Sequence, residues 1–211
     1  MNAVDENGDT ILHWAAAYGA WHCIQLLLER GSERDARDAE GRTPLILACE
    51  ERSEESVDAL LAAGASVDAV ATDGATALNV AVRWKETKTV EKLLTAGAHA
   101  EGPNGDFAPF EMAIRWGAKE SLALLEKRGG VPVLAASHLN ERLRDVVNFG
   151  FTESAAMLLE LGADPSDVGD SVGDSKISAI TIAEIMNEDR PGSYQDMVDL
   201  LKSYRGQKAK R

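Results

Sequence analysis

One short segment recurs at a fixed spacing, and this spacing limits the fold of the chain more than any other sequence feature. The segment Leu-Leu-x-x-Gly begins at Leu27, Leu60 and Leu93, 33 residues apart each time, and returns at Leu158. A second set of landmarks keeps the same period: Gly8, Thr10, Leu12 and Ala15, then Gly41, Thr43, Leu45 and Ala48, then Gly74, Thr76, Leu78 and Ala81. Landmarks that share one period indicate tandem units that stack on their neighbours and bury a continuous core.

Each unit is predicted to consist of a loop, a short helix, a turn and a second helix. The threonine landmark can cap the free amides of the first helix, and Pro44 suits a first helical turn. Small alanines allow neighbouring helices to approach closely, and one face of each second helix is apolar. That face includes Ile24, Val57, Val90, Leu122 and Ala155. The glycines Gly31, Gly64, Gly97 and Gly162 follow the second helices, where a left-handed residue ends a helix at low cost.

The first unit carries Thr10-Ile11-Leu12-His13-Trp14-Ala15. This segment resembles the Thr-Pro-Leu-His-x-Ala signature of ankyrin repeats, which also have a period of about 33 residues. The resemblance implies an all-α ankyrin-repeat solenoid that forms one elongated domain over residues 1–204, followed by a basic tail at 205–211. Six units are expected, the last two degenerate, at approximately 5–37, 38–70, 71–102, 103–135, 136–168 and 169–204.

The charge and the cysteine content limit the classes of partner and the cellular compartment that we expect for this chain. The net charge of −13 disfavours binding to a nucleic-acid backbone, although the last eleven residues carry five positive charges. No apolar run is long enough to span a membrane, and the N-terminus shows no secretory signal. Two cysteines, Cys23 and Cys49, are too few for a disulfide framework. We therefore expect a cytoplasmic monomer that binds another protein. A basic protein is one candidate for this partner.

The residue three positions after each alanine landmark is the strongest candidate for contact with a partner. Aromatic residues are 5% of the chain, yet four of the six residues at this position are aromatic. The six are Tyr18, Glu51, Trp84, Trp116, Phe149 and Met186. Arg83 and Arg115 each precede a tryptophan, and Trp and Arg are enriched at binding hot spots. The resemblance places these residues on a concave face. The alternative is that the aromatic side chains only fill space between repeats. Trp14 and Trp21 are instead expected to be structural and to cover the exposed end of the stack.

The loop tips form a second set of candidate contacts, because loops on a rigid scaffold commonly carry recognition. The residues selected here are Asp9, Glu40, Arg42, Asp73 and Phe107. Their acidic members are either solvated or directed at a basic partner, which they would steer electrostatically.

Residues that could carry catalysis or bind a metal have structural interpretations instead. The resemblance gives His13 a role in bonding neighbouring loops, and Cys49 is expected to be buried. The acidic run at 50–55 is interpreted as a solvated turn, the aspartates between 164 and 174 as a long loop, and residues 187–193 as another inserted loop. Phosphate-loop, nucleophile-elbow and zinc-ligand motifs are missing from the sequence, so no metal, cofactor or catalytic residue is predicted.

These observations predict a non-enzymatic protein-binding module, either an adaptor or a regulatory scaffold. The alternative is an acidic inhibitor, of the kind that gives immunity, which covers a basic enzyme or toxin. An enzyme and a nucleic-acid binder that uses the basic tail are the remaining alternatives.

Overall fold

The computed structural model describes residues 2–104, 108–130, 136–168, 177–190 and 192–208. The helices in these ranges are α1 Ile11–Ala17, α2 Trp21–Glu29, α3 Pro44–Glu50, α4 Glu54–Ala62, α5 Ala77–Arg83, α6 Thr87–Thr95, α7 Ala108–Trp116, α8 Lys119–Lys127, α9 Ala136–Asn148, α10 Thr152–Glu160, α11 Ala179–Asp189 and α12 Gln195–Lys208. Outside the helices, the described residues contain one isolated antiparallel bridge, between Val4 and Thr10. The predicted all-α class is confirmed.

Polar side chains cap three of the first helices, α1, α5 and α11. The Thr10 hydroxyl accepts a hydrogen bond from the backbone amide of His13, and Thr76 does the same for Asn79. Ser178 caps α11 in the same way. Thr43 was expected to cap α3, and this expectation is wrong, because its side chain makes no capping hydrogen bond. Instead, α3 has Pro44 at its start, where the missing amide would have had no helical partner.

The chain divides into two compact units, and the first comprises Met1–Ala113 and Glu120–Pro132. In this unit the first helices α1, α3 and α5 pack in sequence, and each also packs against its own second helix. Their landmark leucines are buried, as are the apolar residues of the second helices: Leu12, Leu45, Leu78, Ile24, Val57 and Val90. Each such side chain contributes about 1.5–3 kcal/mol by leaving water, so the repeated residues are the framework of the unit.

Successive loops of the first unit are joined by hydrogen bonds that recur with the repeat. The Ala39 amide donates to the carbonyl of Asn7 at 2.8 Å, and the Thr72 amide donates to the carbonyl of Glu40 at 2.9 Å. His13 adds a link of the predicted kind, because its Nε2 lies 3.2 Å from the carbonyl oxygen of Arg42. The loops are therefore held in a fixed register by backbone groups.

The second unit comprises Ile114–Lys119 and Val133–Arg211. Here α9 packs against α10 and α11, and α12 packs against α10 and α11. Leu143, Leu158 and Leu201 are fully buried. The description of the whole chain as one domain remains a prediction.

Two further predictions concern turns. The glycines after the second helices have φ between 76° and 105° at Gly31, Gly64, Gly97 and Gly162, as expected for left-handed helix ends. The predicted loop at 187–193 begins too early, because α11 continues to Asp189. The helix ends before Pro191, since a residue that precedes proline is disfavoured in helical conformation. Residues 169–176 of the acidic segment lie outside the described residues.

Candidate protein-binding surface

The predicted contact residues at the ends of the first helices are exposed. We call Tyr18, Glu51, Trp84, Trp116 and Phe149 the first-helix-end positions. Tyr18, Glu51 and Trp84 are the residues that directly follow α1, α3 and α5. The four aromatic side chains are exposed by 74% for Tyr18, 45% for Trp84, 46% for Trp116 and 68% for Phe149. Aromatic side chains that only filled space between repeats would be buried, so their exposure favours the contact interpretation.

In the first unit, Tyr18 extends an aromatic surface that begins at Trp14. The two rings stack with centroids 5.9 Å apart. The Trp14 indole donates a hydrogen bond to Asp5 Oδ2 at 3.0 Å. Slight desolvation of Asp5 opposes ionisation, but this bond and those from the Asn7 and Asp9 amides together lower the pKa of its carboxyl. Trp14 is thus held in place by one edge while part of its ring stays in water.

Trp84 is flanked by two arginines. The Arg83 guanidinium carbon lies 5.2 Å from the ring centroid of Trp84, and that of Arg52 lies 5.4 Å away. Arg52 belongs to the turn between α3 and α4, one repeat before Trp84. Cation–π contacts of this kind hold an exposed indole in one orientation and offer positive charge at its faces. Arg83 was predicted from the sequence as a contact residue, whereas Arg52 was not.

Arg42 was predicted as a loop-tip contact, but its guanidinium is held by the protein's own acids. Its Nε donates to Asp38 Oδ2 at 2.7 Å, and its Nη1 lies 3.1 Å from Glu40 and 3.7 Å from Glu50. Desolvation opposes the charge, but these acids outweigh it and raise the pKa of Arg42. Burial raises the pKa of Glu50 against the opposing effect of Arg42 and Arg83. The group therefore stabilises the loop, and Glu40 is the member with most of its side chain in water.

The other predicted loop residues have different environments. Asp9 is half-buried, and desolvation raises the pKa of its carboxyl. Asp73 is exposed and accepts a hydrogen bond from the Ala75 amide at 2.9 Å. Phe107 lies outside the described residues.

The second unit has an aromatic cluster of its own. Phe149 stacks on Phe151 with centroids 5.9 Å apart. Arg115, Trp116 and Phe151 line an open depression of about 220 Å³ together with residues 152–154 at the start of α10. Phe151 was not among the predicted contact residues, although two phenylalanines on either side of Gly150 in the sequence indicate an aromatic pair. The depression is shallow and mostly apolar, as at a protein contact.

Groups that could react or bind a metal have structural roles in the described residues. Cys49 is buried, and desolvation raises the pKa of its thiol far above the usual range. Thr10 donates its amide to His13 Nδ1 at 3.1 Å, so the ring is occupied on both sides. In the part of the chain that the structure describes, no three His, Cys, Asp or Glu residues are arranged to bind a metal ion. Nor is any described helix both long and apolar enough to cross a membrane.

Residues 1–71 match the family model of ankyrin repeats in three copies. The chain is 47% identical over 49 residues to an ankyrin repeat-containing protein of Schizosaccharomyces pombe, a match that covers 23% of each chain. It is 50% identical over 42 residues to Rabankyrin-5 of Homo sapiens, which is 20% of this chain and 4% of that protein. It is 40% identical over 55 residues to Palmitoyltransferase ZDHHC13 of Mus musculus, which is 26% of this chain and 9% of that protein. The chain thus spans a quarter or less of these relatives. The resemblance to ankyrin repeats is confirmed, and with it a fold and a repeat type that indicate a protein-interaction module.

Proposed function

We propose that this chain, whose residues 1–71 match ankyrin repeats, is a non-enzymatic module that binds one partner protein with its first-helix-end positions. Tyr18 and Trp84 serve as anchors in the first unit, and Trp116 and Phe149 in the second. The repeat framework holds each aromatic side chain at the end of a helix, so little side-chain freedom is lost on binding. The location of this surface on a concave face remains a prediction.

The observation that supports the proposal is the exposure of aromatic side chains at one repeat position. The chain has eleven aromatic residues, and four of them share this position with between 45% and 74% of their surface in water. Large aromatic side chains supply most of the energy at protein contacts when they become buried. Arg83 and Arg115 add donors beside the two tryptophans. The Arg42 group is assigned to the scaffold instead, because its charge is already compensated.

A second candidate function is inhibition of a basic enzyme or toxin, and the net charge of −13 favours it. An acidic surface attracts a basic protein and accelerates association at low salt. Glu40 and Asp73 are exposed loop acids suited to this role. In either case we place the protein in a reducing compartment such as the cytoplasm, because Cys23 and Cys49 are free.

The test is capture of partners from the native source with three forms of the chain. We expect the wild type and Leu26→Ala to capture the same proteins, since Leu26 is an exposed apolar residue on a second helix. Trp84→Ala with Trp116→Ala should weaken the purified interaction by about thirtyfold or more, because a single hot-spot residue is worth about 2 kcal/mol or more. Equal affinity of the double variant and Leu26→Ala would refute the proposed surface. A basic enzyme among the partners, with salt-sensitive association, would select the inhibitor.

A further inference from the structure

The turn between the first and second helices requires a left-handed residue, and two repeats fill it with a cation. The φ angle there is 64° at Gly19, 62° at Gly117 and 76° at Gly150, whereas it is 58° at both Arg52 and Lys85. A left-handed conformation is disfavoured for a residue with a Cβ relative to the right-handed one, and glycine avoids this cost. The presence of an arginine at position 52 therefore needs a compensating role, and its contact with Trp84 locates that role.

The two guanidinium groups at Trp84 lack the acidic partners that other cations in the first unit have. Arg42 is bonded to Asp38, and Lys92 to Asp58 at 2.6 Å. Within the described residues, neither Arg52 nor Arg83 has a carboxylate oxygen within 4.0 Å of its guanidinium. Arg83 Nε is also buried without a hydrogen-bond partner there. In a chain with 35 acidic residues, two unpaired guanidiniums on one exposed indole are a site with unused positive charge.

We propose that Arg52, Trp84 and Arg83 form a recognition site for an acidic segment of the partner protein. A carboxylate of that segment accepts hydrogen bonds from the guanidiniums, and an adjacent apolar side chain packs on the exposed part of the indole. This inference rests on the proposed function and adds the chemistry of the partner at this site. The site is positively charged, whereas the whole chain is negatively charged. The site therefore recognises an acidic segment of the partner through local contacts, and not through attraction between the whole chain and its partner.

The neighbouring acids favour a carboxylate over a phosphate. Glu51 lies in the same turn as Arg52, and the charges of Glu50 and Arg83 interact electrostatically. A phosphate group carries nearly two negative charges at neutral pH and is repelled more strongly by these acids and by the net charge of −13. Because Glu50 and Glu51 offset much of the local positive charge, the second charge of a phosphate gains little net attraction at the site, whereas it doubles the repulsion from the acidic chain.

The site is tested with the full chain labelled with ¹⁵N in its four tryptophan indoles, with the Trp84 signal assigned from Trp84→Phe. The probes are three peptides: one of alternating Glu and Leu, and two counterparts in which Lys or phosphoserine replaces Glu. No partner protein is added. We expect the Glu peptide to shift the Trp84 indole signal more than it shifts the signals of the other three tryptophans. The combination of Arg52→Gly and Arg83→Gln should weaken this binding by about tenfold, as expected for loss of two charge-assisted contacts. Arg34→Gln is the control, because Arg34 is exposed and already paired with Asp35.

Folding is controlled in the same samples, since Arg52→Gly places glycine where three other repeats have it and should leave thermal unfolding undiminished. The inference is overturned by an unshifted Trp84 signal, by equal or stronger binding of the Lys or phosphoserine peptide, or by undiminished binding in the double variant. These results leave the partner capture by Trp84 and Trp116 unaffected. Loss of the proposed function is instead recognised when the tryptophan variants capture their partner as the wild type does.

Discussion

The framework positions and the first-helix-end positions recur with the same period but have opposite environments. Leu12, Leu45 and Leu78 keep the same residue type and are nearly inaccessible to water. Tyr18, Glu51 and Trp84 differ in type, and each is exposed. Packing against a neighbouring repeat requires one shape in every repeat, whereas a partner makes a different demand on each. Constancy with burial therefore identifies the scaffold, and variation with exposure identifies the surface available for contact.

This difference is tested most directly by truncating one framework residue and one first-helix-end residue. Leu45→Ala removes a side chain that is 1% exposed, and we expect it to lower the free energy of unfolding by about 2–5 kcal/mol because a cavity remains. Tyr18→Ala removes a side chain that is mostly in water and should cost less than about 1 kcal/mol. Denaturant unfolding followed by circular dichroism measures both. Similar losses for the two variants would show that the first-helix-end position also packs.

A second, smaller loss is expected when a polar framework residue is removed. His13 is fully buried and links Thr10 to the carbonyl of Arg42. His13→Ala leaves these groups without their partner, which costs about 1–3 kcal/mol. His99→Ala is the matched control, since His99 is exposed and contacts Asp68 at the surface. Thermal unfolding of the two variants should separate them, and an unchanged midpoint for His13→Ala would contradict the framework role.

The framework was readable from the sequence because a repeated unit reports the same packing several times. The buried faces and the glycine ends followed from period and residue type, and the bond from His13 to the next loop followed from the resemblance to ankyrin repeats. Arg52 did not, because its neighbours in sequence are acidic and its contact is with a ring 32 residues later. The compensation of Arg42 by Glu50 was also missed, although both residues lie in one repeat, because it depends on the rotamers of two long side chains. Long side chains that cross between repeats depend on rotamers that no spacing encodes.

Trp84→Ala applies the same test to a second residue that is proposed to anchor the partner. The indole is 45% exposed, and the guanidinium carbons of Arg83 and Arg52 lie 5.2 Å and 5.4 Å from its ring centroid. We expect the free energy of unfolding to fall by less than about 1 kcal/mol, as is usual for surface substitutions that leave no buried cavity. The unfolding midpoint in urea is the measurement, with Leu26→Ala as the control of similar exposure. A loss as large as that of Leu45→Ala would assign Trp84 to the framework.

The smallest effect is expected at the paired charges of the second helices, where Lys92 contacts Glu54 at 2.8 Å and Asp58 at 2.6 Å. The hydrogen bond from Lys92 outweighs desolvation and lowers the pKa of Glu54, and despite desolvation its acidic neighbours raise the pKa of Lys92. The contribution of Glu54 is therefore present above its unfolded pKa and is lost as the pH falls through its folded pKa. That of Lys92 is present below its unfolded pKa and is lost as the pH rises through its folded value.

Lys92→Met keeps most of the aliphatic stem and removes the charge, so the variant should be slightly less stable than the wild type at pH 7. This difference should shrink at acidic pH, where Glu54 is protonated, and also in concentrated salt, which screens exposed pairs. Lys88→Met is the control, because Lys88 is more exposed and lies 3.7 Å from Glu54, and its effect should be smaller still. A difference between wild type and Lys92→Met that stays constant with pH would mean that the stem of Lys92, and not its charge, stabilises this face.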